Sequence, residues 1–324
     1  MPFVQESPHV AETHLLTLSA AERRETEELV TRLAAAEPGL VDDHGWVSRA
    51  RRASCELPLR LRDILRQFRH DPSLDGLLIL RNLPIAVDQL PPTPEGPELH
   101  STVPATVAML VSLQLGEVAG YREGQCGALV QNVVPVPGRV ASRRAAGASP
   151  LELQVENAWH PQRPDYVGLL CLRGDQGRSA GMLVSSIRRT LRLLPVEMID
   201  VLRQPRFSTA PASRPRGAAA APQPILSGDP ADPNVIVDFH ATVARDSAAK
   251  QVLEALRVAF LEASTSLMLK PGEMVFVDNR VAIHGRTAYT PRFDGTDRWL
   301  HRTLVHLDAR RTRSYRAGNG NVLV

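Results

Sequence analysis

The sequence predicts an α+β fold in one domain over residues 1–324, helical in its N-terminal part to about residue 115 and strand-rich over about 116–313 around a central β-sandwich. Three observations carry that expectation. Apolar residues recur at helical spacing before residue 115, and short apolar runs of strand length take over after Gly116. The pieces of one candidate polar site lie far apart in sequence, at 154–156, 284 and 298–302.

The elements follow in order. Ser19 and Glu22 have capping-box spacing, and Leu29, Leu33 and Ala34 continue a helix over 19–36. A second helix is expected over 57–68. Residues 76–82 (Gly-Leu-Leu-Ile-Leu-Arg-Asn) read as a buried strand bounded by Asp75 and Pro84. A Pro-rich loop at 88–99 leads to a helix over 104–115. Strands are expected at 128–134, 151–156 and 166–173, with a turn at 135–138 and a polar, Ala/Gly-rich loop at 139–149. A helix is expected over 186–203. The Pro/Ala/Ser-rich tract 204–234 reads as a surface loop, because a strand pattern resumes at 235–238. A helix within 247–268, a turn at Pro271 and Gly272, a strand at 274–278 and an ordered stretch at 298–307 complete the chain.

Composition bounds the function. Hydrophobic residues make up 43% and charged residues 23%, ordinary for a soluble globular protein, while aromatics at 4% leave the core to Leu, Val, Ile and Ala. The net charge of +3 is spread thinly, so the Arg clusters at 49–52 and 310–316 read as solvated surface and no nucleic-acid partner is expected. Cys55, Cys126 and Cys171 are too sparse for a disulfide framework. With no signal-peptide pattern and no apolar run of membrane-spanning length, a cytoplasmic location without membrane association is expected.

In a strand, residues two apart project to the same side, about 7 Å apart, so Gln154 and Glu156 are expected to point together. A histidine and a carboxylate so paired, joined by a distant histidine such as His284, occupy one face of an octahedral iron(II) ion. Alone, each residue here reads as ordinary: a strand glutamate and a structural histidine.

The surrounding runs change that reading. They are Glu-Asn-Ala-Trp-His-Pro-Gln-Arg-Pro-Asp-Tyr at 156–166, Leu-Cys-Leu-Arg at 170–173 and Leu-Lys-Pro-Gly-Glu-Met-Val-Phe-Val-Asp-Asn at 269–279. His-Gly-Arg at 284–286 and Thr-Pro-Arg-Phe-Asp-Gly-Thr-Asp-Arg-Trp-Leu-His-Arg at 290–302 follow. In this order they resemble the clavaminate synthase-like branch of the iron(II)/2-oxoglutarate oxygenases, in the TauD/TfdA-like superfamily, over roughly residues 75 to 313. That branch includes hydroxylases of free arginine, asparagine and related amino acids. The resemblance implies a distorted double-stranded β-helix (jelly-roll) core with flanking helices. It implies Fe(II) as metal, 2-oxoglutarate and O2 as cosubstrates, and oxidation of a C–H bond of a free amino acid or close derivative, in specialised-metabolite (antibiotic) biosynthesis.

Position by position, the resemblance makes Glu156 and His284 metal ligands and Arg298 the residue that grips the far carboxylate of 2-oxoglutarate, a task suited to the guanidinium fork. Arg302 matches an arginine that contacts a substrate or cosubstrate carboxylate and is assigned to the substrate. Asp238 matches acidic residues facing the substrate's cationic end, and Gln131 and Asn132 are candidate neutral pocket groups.

The pattern breaks at Gln154, where the family has histidine. An amide oxygen can ligate a metal but is a poorer iron(II) donor than imidazole. His160, about 13 Å from Glu156 if the strand stays extended, reads as a packing residue and not as a replacement. Three outcomes stay open: Gln154 ligates directly or through water, the metal is held by two protein ligands, or the chain is a metal-impaired, non-catalytic small-molecule binder.

Overall fold

The structure is a computed structural model and describes residues 13–138, 148–177, 179–211 and 220–324. It is α+β, with two sheets face to face. The larger runs His14–Thr17, Leu77–Arg81, Met274–Asp278, Tyr166–Arg173 and Trp299–His306, and both Glu117–Val118 and Gln131–Val133 pair with the last of these. Its first pair is parallel and the rest antiparallel. The smaller runs Thr265–Leu267, Met182–Ser186, Ala282–Arg286 and Leu151–Gln154, all antiparallel.

Strand alternation sorts the side chains into layers. From Tyr166–Arg173, Val167, Leu169 and Cys171 enter the space between the sheets, with Val275, Leu300 and Leu304 and, from the smaller sheet, Met182, Val184 and Ala282. Tyr166, Leu170 and Leu172 point the other way, into a second core under the helices Ala20–Ala34, His44–Ala53, Leu59–His70 and Val103–Leu113. Val103–Leu113 is apolar on every side and accordingly buried all round. Behind the smaller sheet, Ile283 and Leu153 pack against the helix Ser247–Glu262.

The capping box is present, with the Ser19 hydroxyl accepting from the Glu22 N–H and the Glu22 carboxylate accepting from the Ser19 N–H. The helix His44–Ala53, capped by Asp43, has no counterpart in the sequence expectation. The helix expected over 186–203 is broken into Ile187–Thr190, a 3-10 turn at Leu191–Leu193 and Val196–Leu202. Pro195 is the cause, since it holds Leu194 extended at φ −111°, ψ 137°. The helix within 247–268 stops at Glu262, and Thr265–Leu267 becomes an edge strand. The tract 204–234 contains the short strands Phe207–Thr209 and Leu226–Gly228, so it is not all loop. The expected strand at 128–134 shortens to Gln131–Val133, while that at 235–238 is displaced, sharing only Val235 with the strand Pro233–Val235. Most of the loop expected at 139–149 falls on 139–147, outside the described residues, as do 212–219. Among the described residues no helix is long and apolar enough to cross a membrane.

Candidate active site

Gln154, on the edge strand of the smaller sheet, lies directly opposite His284 on the neighbouring strand, an arrangement that puts their side chains on one face. Ala282 lies in the core between the sheets and Ile283 in the core behind, so alternation turns His284 toward the larger sheet. Gly285 lets the strands meet: a Cβ there would stand 2.5 Å from the Leu151 carbonyl oxygen.

The strand expected to run to 156 ends at Gln154, so strand parity is not what aims Glu156. Val155 N–H bonds to the Val237 carbonyl at 2.8 Å, and the chain then turns through Asn157 at φ 53°. Asn279 holds Glu156 in place. Its side-chain oxygen accepts from the Glu156 N–H at 2.7 Å, and its amide donates to the Glu156 and Pro164 carbonyls at 3.1 and 2.9 Å.

The Glu156 carboxylate, 6% exposed, faces inward. Its Oε2 lies 3.5 Å from His284 Nε2. Arg302, whose Cα pairs with that of Gln131, shares the face of Leu300 and Leu304 and reaches the same carboxylate. Its Nη1 donates to both Glu156 oxygens at 3.1 and 3.0 Å, while Nε and Nη2 donate to Gln131 Oε1 at 2.9 and 2.6 Å. Burial pushes the Glu156 carboxyl up, but Arg302 and His284 outweigh it and hold the group at about 2.

Arg298 is 8% exposed, lies 5.9 Å over the Tyr289 ring and, among the described residues, has no hydrogen-bond partner for Nη1. Arg286 approaches the same ring at 5.4 Å, donating through Nη2 to the Ser149 carbonyl and leaving Nε without a partner among the described residues. Among the described residues neither has a carboxylate at ion-pair distance, and burial pulls both guanidinium groups below their usual range. Two buried cations flanking one aromatic ring make a site that suits an anion.

Not every candidate converges. Asp238 bridges to Gln154 through the backbone, but one of its carboxylate oxygens accepts from the His240 and Ala241 N–H groups of its own turn. Burial nonetheless raises its carboxyl. Asn132 points away from the site. It lies on the opposite face from Gln131, accepts from the Trp299 indole at 2.7 Å and donates to the Gly96 carbonyl. His160 packs edge-on against Tyr121 and Trp159, each at 5.0 Å. Asn279, Arg286 and Tyr289 carry no assigned role in the sequence reading. For Arg286 the signal is its parity with His284, and for Asn279 a polar pair closing an apolar strand.

Among the described residues no group of three His, Cys, Asp or Glu side chains is placed to hold a metal ion, and the residue opposite His284 is the amide Gln154. The remaining pair still fits an ion. Two donors about 2.1 Å from one ion and at right angles stand about 3.0 Å apart, and the 3.5 Å between Glu156 and His284 is a small adjustment away.

Residues 114–304 match the model of the taurine catabolism dioxygenase TauD, TfdA family. The chain is 41% identical to the L-asparagine oxygenase of Streptomyces coelicolor over 95% of its own length and 94% of that protein's. It is 34% identical to the L-lysine 3-hydroxylase of Catenulispora acidiphila, covering 98% and 90% of the two chains. Its fold superposes on the crystal structure of an asparagine oxygenase in complex with Fe(II), 2S,3S-3-hydroxyasparagine and succinate with a TM-score of 0.93, at 41% identity over 96% of this chain and 99% of that one.

Proposed function

This chain belongs to the TauD/TfdA family of iron(II)- and 2-oxoglutarate-dependent dioxygenases, and from that premise we propose that it oxidises a C–H bond of a free amino acid or close derivative, as a hydroxylase. The observation that carries this reading is the convergence of Glu156, His284 and Arg302 on one buried point between the sheets. Glu156 and His284 are the proposed iron donors, with the Gln154 amide at the third corner. When bound, the iron with 2-oxoglutarate and O2 supplies the oxidising power to remove hydrogen from an unactivated carbon.

The remaining residues bind and orient. Arg298, buried and with its Nη1 unpaired among the described residues, takes the far carboxylate of 2-oxoglutarate. Arg302, presented by the larger sheet with Gln131 beside it, takes the substrate carboxylate. Asp238, next to Gln154 through the backbone although one of its oxygens serves its own turn, is the acidic group assigned to the amino end. The relatives named for asparagine and lysine oxidation support an amino-acid substrate. We read the two sheets as a distorted jelly roll and, with the helical layer, as one domain. A cytoplasmic setting and a role in specialised-metabolite biosynthesis belong to the same reading, and all three cysteines are free thiols.

One residue favours a second reading, a small-molecule binder without catalysis: Gln154 replaces the imidazole donor. Anaerobic titration with iron(II) and 2-oxoglutarate separates the two. The weak visible charge-transfer band of the ternary complex is expected for the enzyme, and amino-acid-dependent succinate formation follows on admitting O2. No band at high metal, in a protein that gains one on Gln154→His, leaves the binder.

A further inference from the structure

The guanidinium of Arg302 stands where a metal would need the carboxylate. Its Nη1 lies 3.0 and 3.1 Å from the two Glu156 oxygens and so fills the mouth between them. Its other contacts, from Nε and Nη2, go to the neutral Gln131 side chain, which leaves Glu156 as its paired anion. With side-chain exposures of 18% and 8%, the pair is poorly screened. Arg298 and Arg286 add two more buried cations without carboxylate partners among the described residues. Among the described residues, Glu156 is thus the one carboxylate paired with any of these three arginines before any metal enters. A divalent ion between Glu156 and His284 brings two further positive charges beside Arg302, and the neutral Gln154 offers a weak donor in return.

We propose that Arg302 couples metal binding to the substrate carboxylate: in the ligand-free chain it competes with the metal for Glu156, and an amino-acid carboxylate that engages Nη1 releases Glu156 to the metal. This rests on the functional reading above and adds to it a positive cooperativity that a separate carboxylate clamp would not have. The coupling is reciprocal, so bound metal tightens amino-acid binding by the same factor. It makes Arg302 a positioning residue for Glu156 as well as a substrate contact, and it favours substrates with a free α-carboxylate over amides or esters.

The test is Mn(II) binding followed by the electron paramagnetic resonance of the free ion, which needs no turnover. Wild type, Arg302→Gln and Arg302→Lys are titrated with 2-oxoglutarate present, with and without L-asparagine, L-lysine or L-arginine, after thermal melting has checked each fold. Arg302→Gln is expected to bind Mn(II) on the order of tenfold more tightly than wild type without amino acid, and Arg302→Lys, which keeps the charge, to stay near wild type. In wild type at least one amino acid tightens Mn(II) by a comparable factor, its α-amide derivative does not, and the effect is absent in Arg302→Gln. Equal Mn(II) affinity in wild type and Arg302→Gln overturns the proposal, as does an amino-acid effect that persists in that variant. Should Arg302→Gln not fold, the wild-type comparison of amino acid with its amide decides alone, and no difference overturns the coupling. Failure of wild type, the Arg302 variants and Gln154→His alike to bind Mn(II) overturns the functional reading itself.

Discussion

The side-chain amide of Asn279 closes on the backbone of Glu156 from both sides, accepting from its N–H at 2.7 Å and donating to its carbonyl at 3.1 Å. Asn279 immediately follows the strand Met274–Asp278, in the middle of the larger sheet, so the proposed metal carboxylate is anchored to the most buried part of the fold. Asn279→Ala leaves the N–H and carbonyl of Glu156 and the carbonyl of Pro164 without this partner. A loss of about 2–4 kcal/mol in urea denaturation is expected, with weaker Mn(II) uptake in the fraction that folds. Unchanged stability would show that the clamp is not maintained in solution.

Arg298 is a buried cation waiting for an anion, which predicts opposite effects on the free and the loaded protein. Arg298→Met should stabilise the ligand-free chain by about 1–3 kcal/mol, because it removes a buried charge that has no carboxylate partner among the described residues. The same variant should lose the rise in melting temperature that 2-oxoglutarate gives the wild type. A rise that persists in the variant would place the cosubstrate elsewhere.

His306, 1% exposed, predicts acid sensitivity. Burial lowers its imidazole from the usual 6.5 to about 4. The Tyr121 hydroxyl donates to the Gln162 carbonyl at 2.5 Å and so accepts from the neutral ring's Nε2–H at 3.1 Å. With the folded value depressed, the unfolded chain binds more protons between pH 6.5 and 4. This stabilisation is therefore complete above about pH 6.5 and lost as pH falls toward 4, a total on the order of 3 kcal/mol. The stability of His306→Gln, measured in urea from pH 7 to 4, should fall less than that of wild type by about this amount. Parallel curves would refute the assignment.

Gly285→Ala drives a methyl against the Leu151 carbonyl oxygen at 2.5 Å and should part the Gln154 strand from the His284 strand. About 1–3 kcal/mol of destabilisation is expected, together with a loss of Mn(II) affinity. Destabilisation without any change in Mn(II) affinity would mean that the pairing of these strands does not shape the metal centre.

Legibility in the sequence differs residue by residue. Glu156, His284, Arg298 and Arg302 are legible because they sit in long runs whose order and spacing are unusual, and the structure brings Glu156, His284 and Arg302 within reach of one another. Asn132 is misread because only strand register reveals that Gln131 takes the inner face and Asn132 the outer. Met182–Ser186, the strand that flanks His284, escapes notice since a short run of five mixed residues has no period of its own. The helix over 186–203 is overextended because periodicity is blind to the backbone restriction at Pro195.

By itself the sequence determines the chemical inventory: a carboxylate, one imidazole, two arginines, and an amide where a second imidazole is expected. Those properties belong to the residue types and survive any arrangement of the chain. Only the tertiary structure decides that Arg302 rests on Glu156, 146 residues away, that Arg298 and Arg286 share Tyr289 with no carboxylate partner among the described residues, and that Asn279 holds the carboxylate in place. The physical reason is that strength in a charge pair comes from burial and distance, and both are set by sheet register and packing rather than by neighbours along the chain.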